Sequence, residues 1–261
     1  MKSYKNSKRD DRSREIDVYQ HTCRYIDQHP SLQWKDGVSV CESFFFGDIP
    51  IPPPFNKTPS ILVENTDTLS MAELFAQRGG GVCVLNMASD FKPGGGVARG
   101  ARSQEENMAR RSNLVEMLDV RHYPLHRTAM LYSSPVTVFK DASYNVLPQF
   151  FDVSVISCAA IRNPKLNKEG VYHEDQRALM LAKIRGMIHL AIHVGAKRLV
   201  LGAFGCGAFN NPPRQVAALF AQCLMKEQLA CCFEEVGFAV LVGRAGEEEN
   251  YTAFQQAFLS K

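Results

Sequence analysis

Apolar runs and helical spacings alternate along the second half of this chain. Residues 81–87 form an apolar run, which is typical of a strand buried on both faces of a sheet. Further strands are predicted at 152–158, 197–201 and 236–242. Residues 174–194 carry apolar side chains at helical spacing and predict the longest helix. Because strands and helices alternate, we expect an α/β fold, a three-layer α/β/α arrangement around a mixed, mostly parallel sheet.

The first part of the chain is predicted to be an extension packed on this core rather than a free domain. Residues 1–12 are basic and carry almost no apolar side chains, so they predict a disordered tail. The pattern therefore divides the chain into an N-terminal extension, residues 1–78, and a core, residues 79–261. Within the extension, helices are predicted at 13–28 and 68–77, and strands at 38–46 and 60–65.

A helix that begins at Ser103 is predicted from a capping box. Ser103 is followed three residues later by Glu106, and such a pair satisfies the free amides of a first helical turn. We predict this helix over residues 103–118. Two short strands are predicted after it, at 130–132 and 135–141.

Composition and charge indicate an ordinary globular protein. The 261 residues are 45% hydrophobic and 22% charged, and the net charge of +3 does not demand a nucleic-acid partner. No apolar stretch is long enough to span a bilayer, so no membrane association is expected. The eight cysteines show no Cys-x-x-Cys spacing and most lie in apolar runs, which is typical of reduced thiols in the cytoplasm.

Metal binding is not expected. His122 and His126, like His189 and His193, are spaced four apart, but no glutamate follows the first histidine as in zinc proteases. Packing or solvent contacts are commoner roles for histidines in a long amphipathic helix. We therefore predict neither a metal site nor a cofactor.

Two glycine-rich loops each follow a predicted strand. The first contains Gly94, Gly95 and Gly96, and the second spans residues 202–211. Glycine has no Cβ, so backbone amides in such loops can approach a phosphate closely. Each loop alone is often only a tight turn. Because both follow strands of an α/β sheet, whose carboxyl ends hold ligands, together they favour a diphosphate site.

Two adjacent carboxylates, Glu105 and Glu106, lie at the start of the predicted helix. Acidic residues are favoured there by the helix dipole alone, so their presence does not by itself indicate catalysis. Neighbouring helical residues point about 100° apart, which excludes a pair of carboxylates facing each other across one bond. One of them can still act as acid and then as base, while the other holds sugar hydroxyls.

The combined motif resembles the signature of bacterial-type poly(ADP-ribose) glycohydrolases, which are macrodomain proteins. Asn86-Met87-Ala88-Ser89 is followed by Pro93-Gly94-Gly95-Gly96 and, after seven further residues, by Gln104-Glu105-Glu106. The family motif is a triple glycine, six to eight residues, and then Gln-Glu-Glu. The loop Gly205-Cys206-Gly207-Ala208-Phe209 is similar to the second phosphate loop of the family. The resemblance implies a macrodomain core with an N-terminal helical extension.

The resemblance also implies roles for the matching residues. Glu106 would be the general acid, protonating the leaving ribose oxygen and then taking a proton from the attacking water. Glu105 would hydrogen-bond the hydroxyls of the reacting ribose, and Phe209 would pack over the ligand. Contacts to ADP-ribose are implied for Asn86, Ser89, Gly94, Gly95, Gly96, Val97, Gln104, Gly205, Cys206, Gly207, Ala208 and Phe209.

One loop departs from the family pattern. The family usually has an Ala-Pro-Asn run where this chain has Ala159-Ala160-Ile161-Arg162-Asn163-Pro164. Contacts to adenine are therefore not carried over. Arg162 is a candidate contact for a phosphate of the polymer.

The expected activity is hydrolysis of ribose–ribose O-glycosidic bonds in poly(ADP-ribose), with release of ADP-ribose. Two alternatives remain: an enzyme that removes single ADP-ribose units from protein or nucleic acid, and a non-catalytic ADP-ribose-binding macrodomain. A binding module has no need of the two glutamates, whereas the mono-ADP-ribosyl hydrolase would use the same loops. A nucleotide phosphatase is disfavoured because metal ligands are missing. The expected partners are poly(ADP-ribose) or ADP-ribosylated macromolecules, and the chain is expected to be a monomer.

Overall fold

The structure is a computed structural model that describes residues 2–35, 40–45, 60–243 and 248–259. Short 3₁₀ turns lie between several of its elements, and a π-helical turn, Gln222–Lys226, continues the sixth helix. The helices are α1 (Lys2–Gln28), α2 (Thr68–Gln77), α3 (Gln104–Arg111), α4 (Leu114–Met117), α5 (Glu174–His193), α6 (Pro213–Ala221) and α7 (Glu248–Leu259). The strands are β1 (Val40–Phe45), β2 (Ser60–Glu64), β3 (Val82–Met87), β4 (Ala129–Lys140), β5 (Val146–Cys158), β6 (Arg198–Leu201) and β7 (Glu235–Ala239).

The seven strands form one sheet in the order β1-β4-β5-β3-β6-β7-β2. β5, β3, β6, β7 and β2 pair in parallel, whereas β1 and β4 run antiparallel to their neighbours. The predicted mixed, mostly parallel sheet is therefore confirmed.

Helices cover both faces of the sheet. Successive side chains of β3 point to opposite faces, so Cys83 and Leu85 belong to one apolar cluster, and Val82 and Val84 to the other. The first cluster is completed by α5, α6 and α7, and the second by α2, α3 and α4. The predicted three-layer α/β/α arrangement is confirmed.

The predicted helix over 103–118 is two helices, α3 and α4, separated by Ser112 and Asn113. Ser112 leaves the helix and makes an antiparallel bridge with Val138 of β4. The Asn113 side chain accepts a hydrogen bond from Thr137 N at 2.8 Å and donates one to Leu32 O at 2.7 Å. These side-chain contacts to backbone compete with helical hydrogen bonds, which explains the break.

Three other elements are longer than the sequence predicts. The strands predicted at 130–132 and 135–141 are one strand, β4, whose register against β5 shifts between Ser133 and Val136. Pro135 lacks a backbone N–H, which fits such an irregularity. β5 begins at Val146 rather than at 152, because it pairs with β4 along most of its length. α1 has 27 residues and α5 has 20, so α5, which the sequence predicts to be the longest helix, is shorter than α1.

α1 also begins earlier than expected. It starts at Lys2, whereas the sequence predicts a disordered tail over residues 1–12. Two residues of that segment contact the core: Asp11 pairs with Arg102 at 3.2 Å, and a Cβ on Gly100 would lie 2.6 Å from Arg12 O. The division of the chain at residue 78 stays a prediction.

Candidate functional site

A cleft with a volume of about 380 Å³ opens at the carboxyl ends of the parallel strands. Ligands of α/β sheets bind at this position. From the predicted site, the cleft is lined by Gln104, Gly205, Gly207, Ala208 and Phe209. Sequence reasoning did not single out several other lining residues: Glu15, Thr66, Asp67, Thr68, Arg102, Asn107, Arg110, Tyr144, Val240, Leu241 and Asn250.

Some of these residues carry a sequence signal and others do not. Thr66 lies two residues after the end of β2, and Val240 directly follows β7. Because ligands of α/β sheets bind at the carboxyl ends of strands, these positions could be predicted. Glu15 and Tyr144 come from a helix and a hairpin that are distant in sequence from both glycine loops. No local pattern could have placed them in the cleft.

Gln104 anchors the start of α3 to β3. Its side-chain oxygen accepts a hydrogen bond from Met87 N at 2.8 Å, and its nitrogen donates to Leu85 O at 2.7 Å. The side-chain amide of Gln104 thus pairs with a backbone N–H and a backbone C=O of β3, as the backbone of a neighbouring strand would. This contact fixes the two glutamates that follow Gln104 relative to the end of β3.

Glu105 is buried beneath the loop that follows β3. Its carboxylate accepts a hydrogen bond from Ser89 N at 2.8 Å and lies 3.4 Å from Nδ2 of Asn86. Burial raises the pKa of Glu105 to about 7, and the neighbouring charge of Glu106 adds to the effect. Glu105 is therefore able to hold a proton near neutral pH.

Glu106 ties the first glycine loop to the helix start. Its two carboxylate oxygens accept hydrogen bonds from Gly96 N at 2.8 Å and Ser103 N at 2.9 Å. The Glu106 amide in turn donates to the Ser103 side chain, which completes the predicted capping box, and the Ser103 hydroxyl donates to the same carboxylate. Glu106 is buried, and its carboxylate is oriented by two backbone amides and the Ser103 hydroxyl.

Gly95 is the point at which the two carboxylates converge. A Cβ at Gly95 would lie 2.7 Å from Glu106 Oε1 and 2.8 Å from Glu105 Oε2, and the residue has a φ of +54°. Only glycine fits this backbone and this space. The two side chains leave the helix in different directions, but both carboxylates reach the same residue of the loop.

The remaining residues of the first loop differ in exposure. Gly94 and Val97 are buried, and Val97 is 3% exposed, so its side chain packs inward. Gly96 and Ser89 are partly exposed and use their backbone amides to bind the two glutamates. Asn86 is fully buried and bonds to the Ser157 hydroxyl at 3.0 Å.

The second loop is held in place by Asn211, which sequence reasoning missed. Its side-chain nitrogen donates to Ile161 O at 2.7 Å and to Gly205 O at 3.0 Å, and its oxygen accepts from the Tyr172 hydroxyl at 2.8 Å. Gly205 has a φ of +73°, and a Cβ there would lie 2.4 Å from the Cβ of Ala160. The loop backbone is thus fixed before any ligand arrives.

Cys206 has no features of a nucleophile. Burial raises the pKa of its thiol, and the sulfur lies 3.7 Å from Phe204 O. Within the described residues, no group of three or more His, Cys, Asp or Glu side chains is arranged to hold a metal ion. Among the same residues, no helix combines the length and apolar character that crossing a membrane requires.

Comparisons with known proteins identify relatives of the chain. Residues 49–141 match the family model of the microbial-type PARG (poly(ADP-ribose) glycohydrolase) catalytic domain. This range includes the first glycine loop and both glutamates but not the second loop. None of the curated proteins matches the chain.

Solved structures of two bacterial proteins share the fold. The poly(ADP-ribose) glycohydrolase of Thermomonospora curvata superposes with a TM-score of 0.81 and 26% identity, covering 94% of this chain and 100% of that one. The enzyme of Deinococcus radiodurans in complex with ADP-ribose gives a TM-score of 0.69 and 26% identity, over 79% of this chain and 86% of that one. The predicted family resemblance is confirmed.

Proposed function

The chain is related to the microbial-type poly(ADP-ribose) glycohydrolases, and on that premise we propose that it hydrolyses ribose–ribose O-glycosidic bonds and releases ADP-ribose. The observation that carries the proposal is the convergence of two buried carboxylates at Gly95, at the end of β3. A module that only binds ADP-ribose gains nothing from placing two acids in contact with one glycine, since burying them costs free energy.

In the proposed reaction Glu106 is the general acid. Its proton passes to the oxygen of the leaving ribose while the bond from that oxygen to the anomeric carbon breaks. Water then forms a bond to the anomeric carbon, and its proton passes to the Glu106 carboxylate. Glu105 would hold the hydroxyls of the reacting ribose, and amides of Gly205 and Gly207 would hold the diphosphate.

The pKa of Glu105 favours a second assignment within the same reaction. Because burial raises this pKa to about 7, Glu105 can also store the proton that is transferred. The two assignments differ in which single substitution removes the acid, so both glutamates need to be tested.

We expect Glu106→Gln to lower kcat on poly(ADP-ribose) by roughly 10²–10⁴-fold, since a positioned acid is lost. Binding of ADP-ribose, measured by calorimetry, is expected to persist, because glutamine keeps the shape of the side chain. Glu116→Gln is the matched control, as Glu116 is an exposed glutamate on α4. If Glu106→Gln keeps near-normal turnover while Glu105→Gln loses it, Glu105 is the acid. Normal turnover in both variants would contradict the proposed mechanism.

The proposed partners are poly(ADP-ribose) and ADP-ribosylated macromolecules. ADP-ribose-bound relatives support this choice. The monomeric state and the cytoplasmic location remain predictions from the sequence.

A further inference from the structure

Phe91 exposes an aromatic ring on the loop between β3 and the first glycine loop. It is 73% exposed, more than any other large apolar side chain in the described part of the chain. Ser89, two residues earlier, donates its amide to Glu105, and Gly94 begins the glycine loop three residues later. A large ring in water loses the stabilisation that burial would give it. The ring is carried by the loop whose Ser89 amide bonds to Glu105, and it is open to a ligand that reaches that loop.

Arg162 joins the loop that carries Phe91 to the second glycine loop. Its Nη2 pairs with Asp90 Oδ1 at 2.5 Å, and its guanidinium lies 4.0 Å from the centre of the Phe209 ring. Asp90 precedes Phe91 in the chain, and Phe209 lines the cleft. The side chains of Arg162 and Asp90 are 48% and 44% exposed. A cation is thus held between the two loops, within reach of solvent.

An exposed aromatic ring, one residue along the chain from the carboxylate that pairs with a guanidinium, suits one nucleotide unit. Bases stack on aromatic rings, and a guanidinium, with five N–H donors, binds phosphate oxygens. Asp90 engages one nitrogen of Arg162, which leaves other donors of the group for a second acceptor. In poly(ADP-ribose) the group that leaves the reacting ribose is itself an adenine nucleotide.

We propose that Phe91 and Arg162 form a subsite for the leaving unit of the polymer, whose adenine stacks on Phe91 and whose diphosphate pairs with Arg162. The inference rests on the proposed function and adds to it the residues that bind the leaving unit. A single ADP-ribose attached to a protein side chain has a leaving group without base or phosphate. The subsite therefore selects polymer over mono-modified protein.

Two substrates with different leaving groups test the subsite in the full chain. The ADP-ribose dimer leaves with a nucleotide, whereas 4-nitrophenyl ADP-ribose leaves with a simple phenol. We expect Phe91→Ala to lower kcat/KM on the dimer by roughly tenfold, mainly through KM, because base stacking is lost. On the nitrophenyl substrate the same variant should stay within about twofold of the wild type, since its leaving group carries no nucleotide base. Arg162→Gln should also lower kcat/KM on the dimer but not on the nitrophenyl substrate. Its kcat/KM on the dimer should depend less on salt concentration than that of the wild type.

The matched control is Met225→Ala, which removes an exposed apolar side chain from the π-helical turn Gln222–Lys226, outside both glycine loops. An equal loss on both substrates would overturn the proposal, because it would mean that Phe91 only supports the loop. An unchanged kcat/KM on the dimer would overturn it as well.

A binding measurement tests the subsite independently of the proposed catalytic function. In the Glu106→Gln background, Phe91→Ala should weaken binding of the dimer about tenfold and leave binding of ADP-ribose unchanged. A wild-type protein that cleaves neither substrate would contradict the proposed function. The dimer-binding measurement would still support or overturn the subsite in that case.

Discussion

At the residue scale, Glu105 combines burial with the charge of a second carboxyl. Its side chain is 3% exposed, and its pKa is raised from 4.5 to about 7. A carboxyl with a raised pKa stabilises the folded state fully below pH 4.5, where it is protonated in both states. That contribution is lost as the pH rises through 7, because the folded protein must then bury a charge.

Glu105→Gln is therefore expected to stabilise the protein at pH 8 while impairing turnover. The neutral amide does not titrate. Between pH 4.5 and 7, the free energy of unfolding of the variant should therefore rise relative to that of the wild type. The gain in the free energy of unfolding at pH 8 relative to pH 4 should reach about 1–3 kcal/mol. Urea unfolding at both pH values measures it, with Glu116→Gln as the exposed control. A difference that does not change with pH would show that burial does not shift this pKa.

The sequence could predict these glutamates but not their geometry. The triple glycine and the Gln-Glu-Glu run are local, so the family resemblance that they carry points to Glu105 and Glu106. The directions of adjacent helical side chains, about 100° apart, did not show that both would reach Gly95. That convergence depends on where the loop folds back over α3, which is a tertiary contact. The sequence predicted Arg162 as a candidate phosphate contact in a loop that departs from the family pattern, but its contacts with Asp90 and Phe209 required the structure.

At the element scale, α1 holds the helix that carries the two glutamates. Arg110 of α3 is fully buried, and its Nε pairs with the Glu15 carboxylate of α1 at 3.0 Å. The same carboxylate lies 3.3 Å from Arg102 Nε, and Thr22 donates a hydrogen bond to Arg110 O at 2.6 Å. These contacts fix α3 from the side opposite β3, so α1 supports the site although its residues are distant in sequence.

Removal of the Glu15 carboxylate is expected to destabilise the protein strongly. Glu15→Ala leaves the Arg110 charge buried without its partner, which should cost about 3–5 kcal/mol of unfolding free energy. Asp11→Ala is the matched control on the same helix, because its pair with Arg102 is exposed and worth at most about 1 kcal/mol. Chemical unfolding of both variants measures the difference. Equal effects would show that α1 is not anchored through Arg110.

The order of elements along the chain could be predicted well, and their ends less well. The strand at 81–87 was predictable because its apolar run reflects burial on both faces. The break between α3 and α4 was not, because it depends on Asn113 contacting Thr137 and Leu32. A helical pattern contains no information on such distant partners.

At the scale of the whole molecule, the first 78 residues supply both edges of the sheet. β1 pairs with β4 at one edge, and β2 pairs with β7 at the other. α2 covers the sheet between them, with Leu69 and Phe75 almost completely buried. The sequence predicted an extension packed on the core, but pairing of its strands at opposite edges is a long-range property that no local pattern encodes.

The fragment 79–261 is therefore expected not to fold cooperatively. Without β1 and β2, the backbone edges of β4 and β7 lose their partners, and without α2 one apolar face of the sheet is exposed to water. The matched control is the fragment 29–261, which also lacks α1 but keeps β1, β2 and α2. Circular dichroism during heating should give a single cooperative transition for the longer fragment, at a lower temperature than for the full chain. The shorter fragment should show none and should aggregate. If residues 79–261 unfold cooperatively alone, the extension is dispensable and the catalytic core is a separate folding unit.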